Sequence, residues 1–269
     1  MISSPEPEYR YERKFHAPDL TLDQVTMVVA RHPAHFVKAY PSRRINNVYF
    51  DTADLSDFRA HLLGSDRRRK VRIRWYGESM GAARPAVLEV KAKRGTVGTK
   101  RHFKLPPLDF DGGINMSAVR EAVADGTPAA AMAGFFSCAQ PALFNSYLRR
   151  YFVSVDRRFR ITIDTEMEFQ VVNDRAYSHV RSYREERLRI VELKYDKADD
   201  QDASKIVCRL PFRLTKHSKY VAGLERLRAA GLRAWGAEMD REHVAVGPPP
   251  VPPGGLPALG RLPRRVAGP

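Results

Sequence analysis

The sequence predicts an α+β fold in which the strands form a closed or strongly curved sheet, with charges lining the inside and helices packed on the outside. Charged residues occupy alternate positions in five short segments, at 12–14, 72–74, 89–93, 160–164 and 192–194. Because successive side chains of a strand point to opposite faces, each segment presents one charged face and one mostly apolar face. The apolar partners, such as Val71 and Ile73, need burial of their own, which outer helices would provide. One segment alone fits an ordinary half-buried sheet equally well, but five together favour the enclosed arrangement.

The first half of the chain is expected to alternate strands with short helices. Thr21 is a typical N-cap and Pro33 ends the segment that follows, so a helix is predicted between them. Gly64 ends a second helical segment, and a connection rich in Gly, Ser and Ala is typical of a long hairpin. In order, we expect a strand at 8–15, a helix at 22–31, a strand at 47–50, a helix at 54–63, and strands at 67–76, 86–93 and 100–105.

The second half combines weakly charged helical segments with further strands. We expect helices at 116–125 and 128–139, strands at 143–155, 159–164 and 188–195, and a helix at 219–230. The last helix would place Val221, Leu224 and Leu227 on one side. Residues 243–269 are rich in Pro and Gly and are expected to form a disordered tail, so that residues 1–242 make up the folded domain.

The composition indicates an anionic partner. The chain has 46 Lys and Arg against 31 Asp and Glu, a net charge of +15, which suits nucleic acid, an acidic membrane surface, or polyphosphate and nucleotides. Its two cysteines are too few for a disulfide framework and lack metal-ligand spacing. Residues 1–9 lack the apolar core of a signal peptide, and no apolar run approaches the roughly 20 residues of a membrane span. We therefore expect a soluble cytoplasmic protein.

The predicted inner face carries far more basic than acidic side chains. So many positive charges repel one another unless anions lie between them. A phosphate chain could fill this role, because arginine guanidinium groups bind phosphate oxygens in pairs and lysine ammonium groups act as movable point charges. A glutamate in such a site would need a divalent cation, Mg²⁺ or Mn²⁺, between its carboxylate and the phosphates, and Glu192 is the first choice of ligand. The acidic candidates are Glu12, Glu89 and Glu192, and the basic ones are Lys14, Arg72, Arg74, Lys91, Lys93, Lys100, Arg149, Arg160, Lys194, Lys216 and Lys219.

An ordered set of motifs resembles a known family over about residues 8–230. The motifs are Glu-Arg-Lys-Phe at 12–15, Asn-Val-Tyr-Phe-Asp-Thr at 47–52, Arg-Ile-Arg at 72–74, Glu-Val-Lys at 89–91, Tyr-Leu-Arg at 147–149, Arg-Ile-Thr-Ile-Asp-Thr at 160–165, Val-Glu-Leu-Lys at 191–194 and Ser-Lys-Tyr at 218–220. Together they resemble the polyphosphate polymerase domain of the vacuolar transporter chaperone (VTC) complex, a member of the CYTH-like triphosphate tunnel metalloenzymes.

The resemblance implies an antiparallel β-barrel tunnel with helices packed outside, which binds ATP and polyphosphate with the help of Mn²⁺ or Mg²⁺. By analogy Glu192 would hold the metal, Arg101 or Lys104 could replace Lys100, and Arg149 is preferred over Arg150 because it shares a strand face with Tyr147. The implied phosphate ligands are Lys14, Arg72, Arg74, Lys91, Lys100, Arg149, Arg160, Lys216 and Lys219. Arg10 replaces the first acid of the Glu-x-Glu-x-Lys strand typical of the wider superfamily, which favours polymerase over triphosphate hydrolase.

Phosphoryl transfer is the chemistry that this inventory favours. No Ser-His-Asp or Cys-His spacing is evident, and phosphoryl transfer needs positioning and charge stabilisation more than a covalent nucleophile. The terminal phosphate of polyphosphate would attack the γ-phosphorus of ATP in line, with Arg72, Arg74, Lys91, Arg149, Arg160 and Glu192 as the catalytic set.

Two other functions remain open: a hydrolase of triphosphate or polyphosphate, and a non-catalytic module that binds polyphosphate or RNA. RNA is disfavoured because Trp75 and Tyr76 offer little of the exposed aromatic platform that it needs. A separate membrane protein that receives the polymer also remains open as a partner. Asp51 and Asp164 end strands and are expected to be structural. No catalytic role is assigned to His102 or His217.

Overall fold

The computed structural model describes residues 10–232 except 80, 82, 83, 96, 111, 112, 126–128, 174 and 175, and gives the backbone alone for 10, 131, 173 and 176–181. These residues all belong to one compact unit, Met1–Ala237. The predicted boundary at 242, the tail at 243–269 and the start of the first predicted strand lie outside the described residues. None of the helices in the described ranges is long and apolar enough to span a membrane.

Ten antiparallel strands form one sheet. They are β1 (Arg10–His16), β2 (Val37–Thr52), β3 (Arg67–Tyr76), β4 (Arg84–Arg94), β5 (Val97–Leu108), β6 (Ala139–Val153), β7 (Arg160–Asn173), β8 (Ala176–Glu185), β9 (Ile190–Asp196) and β10 (Arg213–Thr215). Their order is β10-β1-β9-β7-β6-β2-β3-β4-β5, with β8 beside β7. Across the described residues, β10 and β5 are the two ends of this ladder and do not pair, so the expected closed barrel is not found.

Six α-helices accompany the sheet in the described part of the chain. They are α1 (Leu22–Ala30), α2 (Ser56–Leu62), α3 (Met116–Asp125), α4 (Ala133–Phe136), α5 (Asp200–Val207) and α6 (Lys219–Ala229), with short 3₁₀ turns at Ala130–Met132 and Lys197–Asp199. The fold is therefore α+β, as expected. Thr21 caps α1 as predicted, because its hydroxyl accepts from the Gln24 amide while the Gln24 side chain accepts from the Thr21 amide.

The apolar faces of the charged strands are buried, which confirms the alternation argument. Val71, Ile73 and Trp75 of β3 are fully buried in a cluster that includes residues of α3 and α4. Leu193 and Tyr195 of β9 are buried in a second cluster with residues of α1 and α5. The charged residues of both strands therefore lie on the other face of the sheet, as the period of two requires.

Several elements differ from the sequence-based expectation. The strand predicted at 47–50 is the end of the much longer β2, and β8, β10 and α5 were not predicted. The helix predicted at 128–139 is reduced to one 3₁₀ turn and the four-residue α4, because the chain enters β6 at Ala139 and pairs there with Thr52. Residues 128–139 contain no charged side chain, so the sequence offers no amphipathic period that could distinguish a helix from a strand.

Two contacts fix α6 against the sheet. Gly223 lies so close to β6 and β7 that a Cβ atom would be 2.5 Å from Phe169 and 2.6 Å from Leu143. The buried Asp51 carboxylate accepts hydrogen bonds from the Asp57 and Phe58 amides at the start of α2 and from the Tyr220 hydroxyl of α6. Asp51 therefore has the structural role expected from the sequence, and it helps to place Lys219 on the charged face.

Candidate functional site

The charged face of the curved sheet surrounds a cavity of about 180 Å³. Its walls come from seven strands and from the start of α6, which brings together residues far apart in the sequence. Nine of the lining side chains are basic and three are acidic, an excess of positive charge that favours the entry of anions. The lining residues are Glu12, Lys14, Tyr49, Lys70, Arg72, Arg74, Glu89, Lys91, Lys100, Tyr147, Arg149, Glu192, Lys194, Ser218 and Lys219.

Most of the basic residues selected from the sequence line this cavity, but three do not. Lys93 shares a strand face with Lys91, yet it is exposed and lies outside the lining. Arg160 is beside Lys194 in the register of β7 and β9 and is also exposed, so it lies beyond the lining on the same face. Lys216 follows β10 and is exposed to solvent. Alternation assigned the faces of Lys93 and Arg160, but it could not tell how far along the strand the cavity extends.

Glu192 lies at the centre of the cations. Its Oε1 atom is 3.4 Å from Lys219 Nζ and 3.6 Å from Lys14 Nζ, while its Oε2 atom is 3.2 Å from Lys194 Nζ and 3.3 Å from Arg149 Nη2. Burial acts to raise the pKa of Glu192, but these cations, led by Lys219 and Arg149, hold that pKa well below its usual value. Glu192 is therefore ionised and binds four basic side chains at once.

The fully buried Asp164 carboxylate pairs with two of the same cations, Arg149 and Lys219. Arg149 donates to its two oxygens at 2.5 and 2.6 Å, and Lys219 Nζ is 2.5 Å from Oδ2. Burial opposes ionisation, yet Arg149 and Lys219 lower the pKa of Asp164. Both cations also lie over the Tyr147 ring, at 5.3 and 4.7 Å from its centroid. The predicted structural role of Asp164 thus lies in a buried ion network and not in a turn.

The arginines of β3 are held by Glu89 of β4. Arg72 donates to Glu89 Oε2 through Nε at 2.9 Å and through Nη2 at 2.5 Å, and Arg74 Nη1 is 3.0 Å from Oε1. Arg72 also donates to the Tyr49 hydroxyl at 3.0 Å. Burial would raise the pKa of Glu89, but Arg72 and Arg74 outweigh it and lower that pKa to about 2. The pair is thereby oriented toward the cavity before any ligand binds.

Comparison with known proteins assigns the fold to a family. The VTC domain family matches residues 9–228, most of the chain.

This chain belongs to the VTC domain family.

Solved structures similar to this VTC domain include the PH1819 protein from Pyrococcus horikoshii OT3, with 14% identity, a TM-score of 0.45, and coverage of 81% of this chain and 99% of that one. A conserved hypothetical protein from Pyrococcus furiosus has 9% identity, a TM-score of 0.44, and coverage of 80% and 99%. A search of curated proteins found no match.

Lys70 is a cavity residue of this VTC domain that the sequence analysis missed. Its Nζ donates to Ser218 Oγ at 2.8 Å, which links β3 to the N-cap of α6. Burial, followed by the charges of Lys14, Lys91 and Arg72, lowers the pKa of Lys70 to about 7. The signal was present in the sequence, because Lys70 continues the alternation of Arg72 and Arg74 by one further step.

The oxygen donors near Glu192 suit a divalent cation only if phosphate completes its coordination. The described residues contain no group of three acidic, His or Cys side chains that could hold a metal ion. They do place Glu12 near Glu192, with Lys14 Nζ at 3.0 and 3.6 Å from the two carboxylates. Thr162, the register partner of Glu192, has a buried hydroxyl with no hydrogen-bond partner in the described structure. Mg²⁺ commonly combines one or two carboxylates with substrate phosphates, which fits this set.

Proposed function

We propose that this VTC domain is a metal-dependent phosphotransferase that extends polyphosphate with the γ-phosphate of ATP. One observation carries the proposal: nine basic side chains converge on a single cavity that contains three carboxylates. A phosphate chain matches this arrangement in charge and in shape, because arginine forks bind phosphate oxygens in pairs. Family membership supports the same reading.

The roles of the side chains follow from how rigidly each is held. Arg72 and Arg74 are fixed by Glu89 and would bind the phosphates of ATP. Arg149 and Lys219 are fixed by Asp164 and Glu192, so they would stabilise charge on the transferring group without reorganising. The terminal oxygen of polyphosphate attacks the γ-phosphorus in line, the bond to the bridging oxygen breaks, and ADP leaves with the electron pair. A divalent cation held by Glu192 would, when bound, neutralise charge on the phosphate oxygens.

The proposal includes a tunnel in which contacts between side chains, instead of pairing between β5 and β10, close the open side of the sheet. Lys70 of β3 reaches Ser218 before α6. Burial, followed by the charges of Arg72, Arg74 and Lys194, lowers the pKa of Lys100 of β5 against the effect of Glu89. A bound phosphate chain would draw these facing cations together. The lysines at the open side, Lys91 and Lys100, are exposed and would guide the polymer.

The decisive experiment is incubation of the purified protein with ATP and either Mn²⁺ or Mg²⁺, followed by gel analysis for polymer and an assay for free phosphate. Polymer formation is expected, and Arg72→Gln should reduce its rate by about 10²-fold, as for other lost donors to developing charge. Arg158→Gln is the matched control, because Arg158 is exposed and pairs with Asp199 and Asp202 away from the cavity.

Two outcomes would contradict the polymerase. Release of phosphate without polymer indicates a hydrolase, and salt-sensitive binding without turnover under either metal indicates a binding module.

We place the reaction in the cytoplasm, where ATP is available, and assign movement of the polymer across a membrane to a separate protein. Nucleic acid is not among the proposed ligands.

A further inference from the structure

Three tyrosines surround one arginine beyond the end of the cavity. The Arg43 guanidinium lies 5.5 Å from the ring centroid of Tyr40 and 6.0 Å from those of Tyr76 and Tyr151. Tyr40 and Tyr151 also contact each other edge to face, with centroids 5.8 Å apart. We call these four residues, contributed by β2, β3 and β6, the tyrosine cluster. The roles proposed above for the cavity do not use any of them.

The tyrosine cluster lies on the same face of the sheet as the cavity. Tyr76 follows Arg74 by two residues on β3, and Tyr151 follows Arg149 by two residues on β6. Side chains two apart on a strand share a face and are separated by about 6 to 7 Å along it. Register agrees, because Arg43 pairs with Arg149 and Tyr40 pairs with Tyr151. A ligand whose phosphates contact Arg74 and Arg149 would therefore extend directly onto the tyrosines.

Two of the three tyrosine rings are exposed to solvent, and Tyr151 is partly buried. Tyr40 is 60% exposed and Tyr76 is 45% exposed. The Arg43 guanidinium lies over the rings, and its planar cation is itself a stacking surface. Aromatic faces combined with an arginine are the groups that bind the flat faces of nucleobases without reading base identity.

We propose that the tyrosine cluster binds the nucleobase of ATP while the triphosphate occupies the cavity. The inference rests on the proposed function, because it requires the phosphates to bind between Arg74 and Arg149. It defines a polarity for the site: the nucleoside lies at the end of β3 and β6 that carries Tyr76 and Tyr151. The γ-phosphate then points inward toward Lys219 and Glu192.

The test compares two ligands that share the phosphate chain and differ in the nucleoside. Calorimetric affinities for ATP and for tripolyphosphate are measured with Mg²⁺ on the whole protein. The Tyr40→Leu/Tyr76→Leu double variant should bind ATP about tenfold or more weakly, as for other lost base-stacking rings, and tripolyphosphate as tightly as the wild type. The Tyr40→Phe/Tyr76→Phe variant keeps the rings and should keep the ATP affinity.

Tyr11 provides the matched control. It is a 39% exposed tyrosine in an edge-to-face pair with Tyr195, on the opposite face of β1 from Glu12 and Lys14. Tyr11→Leu should change neither affinity.

If the leucine double variant binds ATP as tightly as the wild type, or loses the same affinity for both ligands, the base site is overturned and the proposed function stands. Failure of the wild type to bind either ligand overturns the proposed function, and the base site with it.

Discussion

Substitution of Asp164 by Asn tests whether the buried ion network holds the site together. Asp164 is 0% exposed and accepts two hydrogen bonds from Arg149, and Lys219 Nζ is 2.5 Å away. Asn keeps the shape but removes the charge, so two buried cations would share Glu192 alone. Removing one partner of a buried ion pair typically costs about 3 to 5 kcal/mol. We expect the Asp164→Asn variant to lose free energy of unfolding in that range.

Urea denaturation followed by tryptophan fluorescence measures this loss, since Trp75 is buried and stacked on Phe110. For a domain of this size about 1 kcal/mol shifts the melting temperature by roughly 2 to 4 °C, so a fall of about 6 to 20 °C is expected. Asp202→Asn is the control, because Asp202 pairs with the exposed Lys205 and Arg158 at the surface. That variant should melt close to the wild type.

Acid dependence gives a second measure of the same interaction. The pKa of Asp164 is lowered in the folded state by Arg149 and Lys219 against the effect of burial. Its contribution is therefore fully present above the unfolded pKa of about 3.9 and is lost as the pH falls below it. Asp164→Asn should lack this part of the acid-induced loss of stability. A variant within about 1 kcal/mol of the wild type would refute the reasoning, because a buried carboxylate between two cations cannot be so weakly coupled.

Three further changes are predicted. The pKa of Lys70 is about 7 and bound phosphate favours its protonated form, so affinity for tripolyphosphate should fall as the pH rises above that value. Lys70→Arg stays charged and should reduce this fall, which calorimetry at several pH values measures. Gly223→Ala should lower the free energy of unfolding, measured by urea denaturation, by about 1 to 3 kcal/mol because the added Cβ atom displaces α6. Gly134→Ala should not, because its Cβ atom meets nothing within 4 Å, and equal effects of the two substitutions would contradict the packing argument. Glu89→Gln should lower the melting temperature of the free protein, since the arginines of β3 lose their internal anion, and tripolyphosphate should then raise the melting temperature by more than it does in the wild type. An unchanged rise on adding tripolyphosphate would argue against competition between Glu89 and phosphate.

The period of two along each strand was sufficient to assign most of the cavity. Arg72 and Arg74 alternate with Val71 and Ile73, and the structure places the first pair in the cavity and the second pair in the core. Hydrophobic burial is a local constraint on which face a side chain takes, so it can be predicted from neighbours in the chain. Lys70 follows from the same rule applied one step further.

The sequence by itself therefore determined the α+β class and the face of each charged strand, and its charge predicted an anionic partner. Tertiary structure alone decided which cations meet, because register and curvature bring Lys219 within contact of Asp164 and Glu192 while leaving Lys216 exposed. It also decided that the strand ladder remains open and that tyrosines from three strands gather around Arg43. Alternation repeats identically along every strand, whereas distances between strands depend on pairings between residues far apart in the chain.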